Sequence, residues 1–138
     1  NLNDSKIFMS DAATEMVDNM GSILAGVSVG LAFYKPDFKK PDIGKNLFYL
    51  GLAAGKISTY LRYGIPVIMN EIGVYAEEAR QYKFGCVVDV PELIATKFNE
   101  IGQEESRSNA KIYFAHKLDF NIYRNDIWSH LLSSMERI

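Results

Sequence analysis

The sequence predicts an α/β fold in which helices flank a parallel sheet. Short apolar runs that suit strands alternate with segments of helical spacing, in units of roughly 20–30 residues. The apolar runs lack the polar alternation of a half-exposed sheet, which is typical of strands covered on both faces. Strands joined through helices in this way form right-handed βαβ units, so a Rossmann-like parallel sheet is expected.

Four apolar runs are the predicted strands, at residues 6–9, 29–34, 66–69 and 85–89. The first ends at a Ser-Asp pair, and Pro36 stops the second. The third begins with Pro66, in a position that strands tolerate. A polar loop with two prolines and four lysines, from Lys35 to about Asn46, follows the second strand and is expected to be mobile or to face a ligand.

Capping and stop residues delimit the predicted helices. Asp18 can cap the first, which runs to about Ala25. Gly64 follows the second in the usual helix-stop position. Pro91 opens the fourth at its first turn. The full set covers residues 18–25, 55–63, 73–82, 91 to at least 101, 106–117 and 121–138.

Composition excludes several functional classes. The 138 residues are 48% hydrophobic and 23% charged, which suits one domain with a core. A net charge of -2 lacks the basic footprint of a general nucleic-acid binder. One cysteine, Cys86, excludes an intrachain disulfide and a cysteine-rich zinc site, and we expect it to be a buried apolar thiol. The two histidines, His116 and His130, suggest neither a metal cluster nor a catalytic triad, so no metal is expected.

The location of the protein follows from two further patterns. The apolar stretches are too short or too interrupted by glycine to span a bilayer, and no secretory signal is visible at the start. A cytoplasmic protein is therefore expected. The lysines of the polar loop could touch an anionic membrane surface at its inner face. The chain begins with Asn1 directly before a strand-like run, which suggests a piece of a longer protein.

The segment 51–68 carries most of the chemical information. It is not a P-loop, because three residues rather than four separate Gly51 from Gly55 and no hydroxyl residue directly follows Lys56. Ala53, Ala54 and Gly55 nevertheless let a ligand approach the backbone closely. The first amides of a helix starting there have no internal partners and lie at the positive end of its dipole.

A diphosphate at this helix start would gain charge-assisted hydrogen bonds and the positive charge of Lys56. The amide of Ile57 and the hydroxyls of Ser58 and Thr59 belong to the same first turn. The alternative is a plain packed helix, in which the small residues serve packing and the hydroxyls cap locally.

The run from Lys56 to Ile68, KISTYLRYGIPVI, resembles the K-(L/I)-x-E-Y-L-A-x-G-x-P-V-I segment of GT-B glycosyltransferases of the group 1 type. Further similarities to that family follow downstream, at Gly73, Glu77, Gly85, Val87, Val88 and 118–120. The resemblance implies the C-terminal, nucleotide-sugar-binding half of a two-domain transferase. Its donor would be a UDP- or GDP-sugar, with the diphosphate at the small-residue turn and Lys56 as the motif lysine.

The sequence departs from the family at two positions. Retaining members carry two glutamates eight positions apart, and the matching positions here are Thr59 and Gly51. The usual ribose contact and the retaining donor geometry are therefore in doubt. The resemblance also implies an N-terminal, acceptor-binding domain that this sequence lacks. No catalytic residue is assigned, since the general base would come from that domain, and the chain alone should be inactive.

Three more residues are candidates for donor contacts. Tyr34 ends the second predicted strand, where it could stack on or hydrogen-bond the donor, or simply rim the core. Glu71 follows the third strand, at a carboxyl edge where parallel sheets place ligands. Glu77 matches a family position, although glutamates early in a helix also complement the helix dipole.

The terminal helix carries one apolar stripe, which is most simply core. In GT-B enzymes the last helix commonly crosses to the other domain, so without that partner part of the stripe could be exposed and drive formation of a homodimer. The stripe consists of Ile127, Trp128, Leu131, Leu132, Met135 and Ile138.

The sequence thus favours a glycosyltransferase donor domain that moves a sugar to a glycan or lipid-linked acceptor in polysaccharide biosynthesis. Two alternatives stay open. One is a nucleotide-sugar epimerase of GT-B fold, which upstream catalytic carboxylates would indicate. The other is a non-catalytic α/β binding module. A receiver-type module would need an acidic cluster and a later strand-end lysine, and Asp11 alone matches that pattern.

Overall fold

A computed structural model describes residues 20–34, 39, 51–71 and 73–135. These residues form a mixed α/β structure with a small parallel sheet. The strands are β1 (Gly30–Ala32), β2 (Val67–Met69) and β3 (Gly85–Val87). The α-helices are α1 (Gly21–Leu24), α2 (Gly55–Arg62), α3 (Gly73–Tyr82), α4 (Ile94–Ile101), α5 (Glu104–Tyr113) and α6 (Arg124–Met135). Short 3-10 turns cover Gly51–Ala53, Pro91–Leu93 and Phe120–Ile122, and a π-helical turn covers Phe114–Leu118.

The three strands pair in the order β1-β2-β3, all parallel. A helix precedes each of the two later strands along the chain: α2 comes before β2, and α3 connects β2 to β3. All three residues of β2 are buried, so the central strand is covered on both faces, as its unbroken apolar sequence predicts. The predicted α/β class with a helix-flanked parallel sheet is therefore confirmed for the described residues.

Successive side chains of β2 point to opposite faces of the sheet, and they belong to two separate clusters of the core. Val67 and Met69 belong to the larger cluster, with Ile57 and Leu61 of α2. Ile68 belongs to a smaller cluster with residues that include Ile101 of α4. The larger cluster also holds Tyr75, Ala79, Phe84, Ala110 and Tyr113.

Helix α5 packs beside the strand starts, at the amino edge of the sheet. Arg107 Nη1 donates to the carbonyl of Val27, before β1, at 3.3 Å. Asn109 Nδ2 donates to the carbonyl of Lys83, before β3, at 3.5 Å. The amino edge is thus covered, and the opposite edge, where strands end and α2 and α3 begin, remains for ligands.

Several element predictions agree with the structure. Helices α2 and α3 match closely, and Gly64 ends α2 with a φ of 68°, a conformation that favours glycine. The strands at 29–34, 66–69 and 85–89 are present but shorter than predicted. Of the helix predicted at 18–25, the described residues form α1 over Gly21–Leu24, and Asp18 itself lies outside the described residues, as do the 6–9 strand and most of the 35–46 loop.

The helix predicted at 106–117 is present, as α5 and the π-helical turn that continues it. One other prediction for the C-terminal region requires correction. The interpretation of the terminal stripe as core is wrong, because α6 has no buried residue. Ile138, the last residue of the predicted stripe, lies outside the described residues. Helical spacing identifies an apolar face, but it does not identify what covers that face.

Candidate anion-binding site

The start of α2 leaves three amides without acceptors. Ala54 occupies the N-cap position with extended backbone angles, and its methyl group cannot accept a hydrogen bond. The first helical bond runs from the amide of Ser58 to the carbonyl of Ala54, at 3.1 Å. Within the described part of the chain, the amides of Gly55, Lys56 and Ile57 have no hydrogen-bond partner. They lie at the positive end of the helix dipole and together favour an anion.

Space is open beside Gly55, at the start of α2. Ala54 is buried, whereas Gly55 is exposed, and a Cβ atom added to Gly55 would meet nothing within 4 Å. Gly55 and Lys56 also line a cavity of about 380 Å³ between α1 and α2. Its other lining residues are Met20, Ile23, Leu24, Thr59 and Tyr60. The first turn of α2 is therefore accessible at Gly55 and Lys56.

Tyr34 and Asn70 connect the ends of β1 and β2 beside this helix start. The amide of Tyr34 donates to Asn70 Oδ1 at 3.0 Å, and Asn70 Nδ2 donates to the carbonyl of Tyr34 at 2.7 Å. Lys56 Nζ lies 5.7 Å from the centroid of the Tyr34 ring, a cation–π distance. These contacts bring two residues predicted from the sequence, Tyr34 and Lys56, to the same edge of the sheet.

The turn before α2 is held from the opposite side by Tyr75. Its hydroxyl donates to the carbonyl of Leu52 at 2.7 Å, and its ring is buried. Burial, which disfavours the phenolate, raises the pKa of Tyr75 above its ordinary value, and nearby Tyr34 raises it further. A neutral, hydrogen-bonded phenol therefore fixes the small-residue turn against α3.

This arrangement predicts that the protein loses stability at alkaline pH. Above the ordinary tyrosine pKa of about 10, the unfolded chain binds fewer protons than the folded one, so the free energy of unfolding falls as pH rises. We expect urea midpoints to drop as the pH rises above about 10, and to drop less in Tyr75→Phe. An equal drop in the variant would contradict a buried neutral Tyr75.

The other predicted residues of α2 have separate environments. Ile57 as a whole residue has no accessible surface, so its amide, although unpartnered, is covered. Ser58 Oγ donates to the carbonyl of Gly55 at 3.0 Å, the local bond that a packed helix would also make. Thr59 is half-buried and lines the cavity.

The predicted glutamates lie along α3 and the segment before it. Glu71 is exposed and forms an ion pair with Arg80, and the pKa of Arg80 is raised mainly by this hydrogen bond. Glu77 is exposed on α3, and its negative charge also raises the pKa of Arg80. The sequence does not indicate the contact between Arg80 and Glu71, because the two residues are nine positions apart and lie in different segments. Only the fold brings them together.

Cys86 is half-buried, and burial raises the pKa of its thiol. A raised pKa keeps the thiol neutral, which agrees with an apolar role rather than a nucleophilic one. Within the ranges that the structure describes, no group of His, Cys, Asp and Glu side chains could hold a metal ion.

Comparisons with models of protein families, with curated proteins and with solved structures give no significant match. Among the described helices, none has the length and apolar character needed to cross a membrane.

Proposed function

We propose that this chain is the donor-binding domain of a Rossmann-like, GT-B-type glycosyltransferase, and that the start of α2 holds the diphosphate of a UDP- or GDP-sugar. The observation that carries the proposal is the row of three unpartnered amides at Gly55, Lys56 and Ile57, at a helix start where Gly55 and Lys56 are exposed. The resemblance of residues 56–68 to the family's donor segment supports the same assignment.

The chemistry of sugar transfer suits these groups. As the glycosidic bond breaks, negative charge grows on the leaving diphosphate, and fixed donors that face this charge lower the barrier. The amides supply such donors without reorganisation, and the exposed ammonium of Lys56 adds a full positive charge. In the proposal, the acceptor site and the general base belong to a second domain, as the resemblance implies.

Tyr34 and Asn70 then have a supporting role in the proposal. Their paired hydrogen bonds fix the carboxyl ends of β1 and β2 relative to each other. The Tyr34 ring holds the Lys56 ammonium near the edge where the diphosphate would bind. The ion pair between Glu71 and Arg80 keeps the Glu71 carboxylate partly neutralised, which lessens its repulsion of an anion.

Lys56→Ala tests the phosphate role directly. We expect it to weaken the binding of UDP and GDP by about tenfold, because one charge-assisted contact is lost. The affinity for uridine and guanosine should stay within about twofold of the wild-type value. Isothermal titration with each pair of ligands measures the difference. Lys56→Arg, which keeps the charge, is the matched control. Equal losses for nucleotide and nucleoside would contradict the assignment.

A further inference from the structure

The terminal helix and the turn before it carry a set of exposed apolar side chains, which we call the α6 face. Its side chains have exposed fractions between 42% and 70%, whereas the apolar residues of the core are nearly inaccessible. Trp128 at 62% and Met135 at 70% are its most exposed members on α6. The α6 face consists of Phe120, Ile122, Tyr123, Ile127, Trp128, Leu131, Leu132 and Met135.

The members on α6 form one stripe. Ile127, Leu131 and Met135 follow each other at intervals of four, and Trp128 and Leu132 lie beside them at the same interval. Residues four apart in a helix lie on one side of it. With eight side chains about half exposed, the face offers on the order of 800 Å² per copy, the share of each partner in a standard protein interface.

The stripe also lacks groups that would oppose its burial. No Asp, Glu, Lys or Arg occurs between Ile127 and Met135. The hydroxyls of Ser129 and Ser134, on the two flanks of the stripe, already donate to the carbonyls of Asn125 and His130, at 2.9 and 2.8 Å. Burial of the face would therefore leave neither an unpaired charge nor an unsatisfied serine donor.

We propose that the α6 face is the interface between two copies of this chain, with the two α6 helices antiparallel about a two-fold axis. A two-fold interface joins the same patch on both copies, so the patch must complement itself. Leu131 lies midway between Ile127 and Met135. Antiparallel pairing thus places the two Leu131 side chains together at the axis and Ile127 of one copy near Met135 of the other. The interface does not involve the start of α2, and the second domain that the resemblance implies would compete with the second copy for this face.

Sedimentation velocity across micromolar concentrations tests the interface. The wild-type protein is expected to be dimeric, and Leu131→Lys and Leu131→Glu are each expected to raise the dissociation constant at least about tenfold, because a like charge would meet itself at the axis. A mixture of the two variants should form a heterodimer, since opposite charges then face each other. Recovery in the mixture also shows that neither variant has simply unfolded.

Ile112→Lys is the matched control, because Ile112 is 54% exposed on α5 and lies outside the α6 face. It should leave the dimer unchanged. Trp128 is the only tryptophan, so its emission should shift to longer wavelength as the wild-type dimer is diluted. A monomeric wild-type protein would overturn the proposal, and so would a dimer that survives Leu131→Lys or a mixture that stays monomeric.

Discussion

Gly85→Ala is expected to lower the free energy of unfolding by about 3 kcal/mol or more, because it forces β2 and β3 apart. Gly85 is buried and pairs with Val67 across the sheet. An added Cβ would collide with the carbonyl oxygen of Val67 and lie 3.3 Å from its carbonyl carbon. Backbone of the central strand cannot move away as the tip of a flexible side chain can.

Urea unfolding followed by circular dichroism measures the effect of Gly85→Ala. Gly55→Ala is the control, because the same added methyl group there meets nothing within 4 Å, and its stability should stay within about 0.5 kcal/mol of wild type or increase. If Gly85→Ala were as stable as Gly55→Ala, the close approach of β3 to β2 would be wrong.

Gly55→Asp is expected to abolish diphosphate binding while the fold remains intact. The new carboxylate would extend into the open space before α2, where it would compete with an anion for the free amides and repel it. We expect the affinity for UDP and GDP to fall by about a hundredfold, since a contact is lost and a repulsion is added. The helix itself should gain about 0.3–1 kcal/mol, because an acidic residue in the first turn complements the dipole.

Gly55→Asn separates charge from size in this experiment. Asparagine has nearly the shape of aspartate without its charge, so it should retain most of the binding that aspartate removes. Nucleotide titration and thermal unfolding of the two variants are compared side by side. Equal losses of affinity in both would indicate a steric effect, and unchanged binding in Gly55→Asp would place the anion elsewhere.

Local patterns account for the elements that the sequence predicts best. Helix α2 begins after small residues and ends before Gly64, whose positive φ suits a helix stop. The strand β2 is an unbroken apolar run that begins after Pro66, and it is buried along its length. These features depend on neighbours in sequence, so one sequence is enough to recognise them.

The parts of the site that were not foreseen depend on distant contacts. Tyr34 and Asn70 are 36 residues apart, and Tyr75 reaches back 23 residues to Leu52. The sequence identifies Tyr34 as a strand-end residue, but it cannot show that an asparagine side chain would hold both of its backbone groups. The exposure of α6 has the same origin, because an amphipathic helix does not specify its partner.

Hydrogen exchange with and without saturating UDP or GDP tests most directly whether the start of α2 binds a diphosphate. Gly55 and Lys56 are exposed and their amides have no partner in the described structure, so these two amides should exchange rapidly in the free protein and slowly in the complex. Uridine or guanosine alone should not slow them, and amides in the middle of α5 should not change with any ligand. Unchanged exchange of both amides at millimolar nucleotide, in folded protein, would contradict the account.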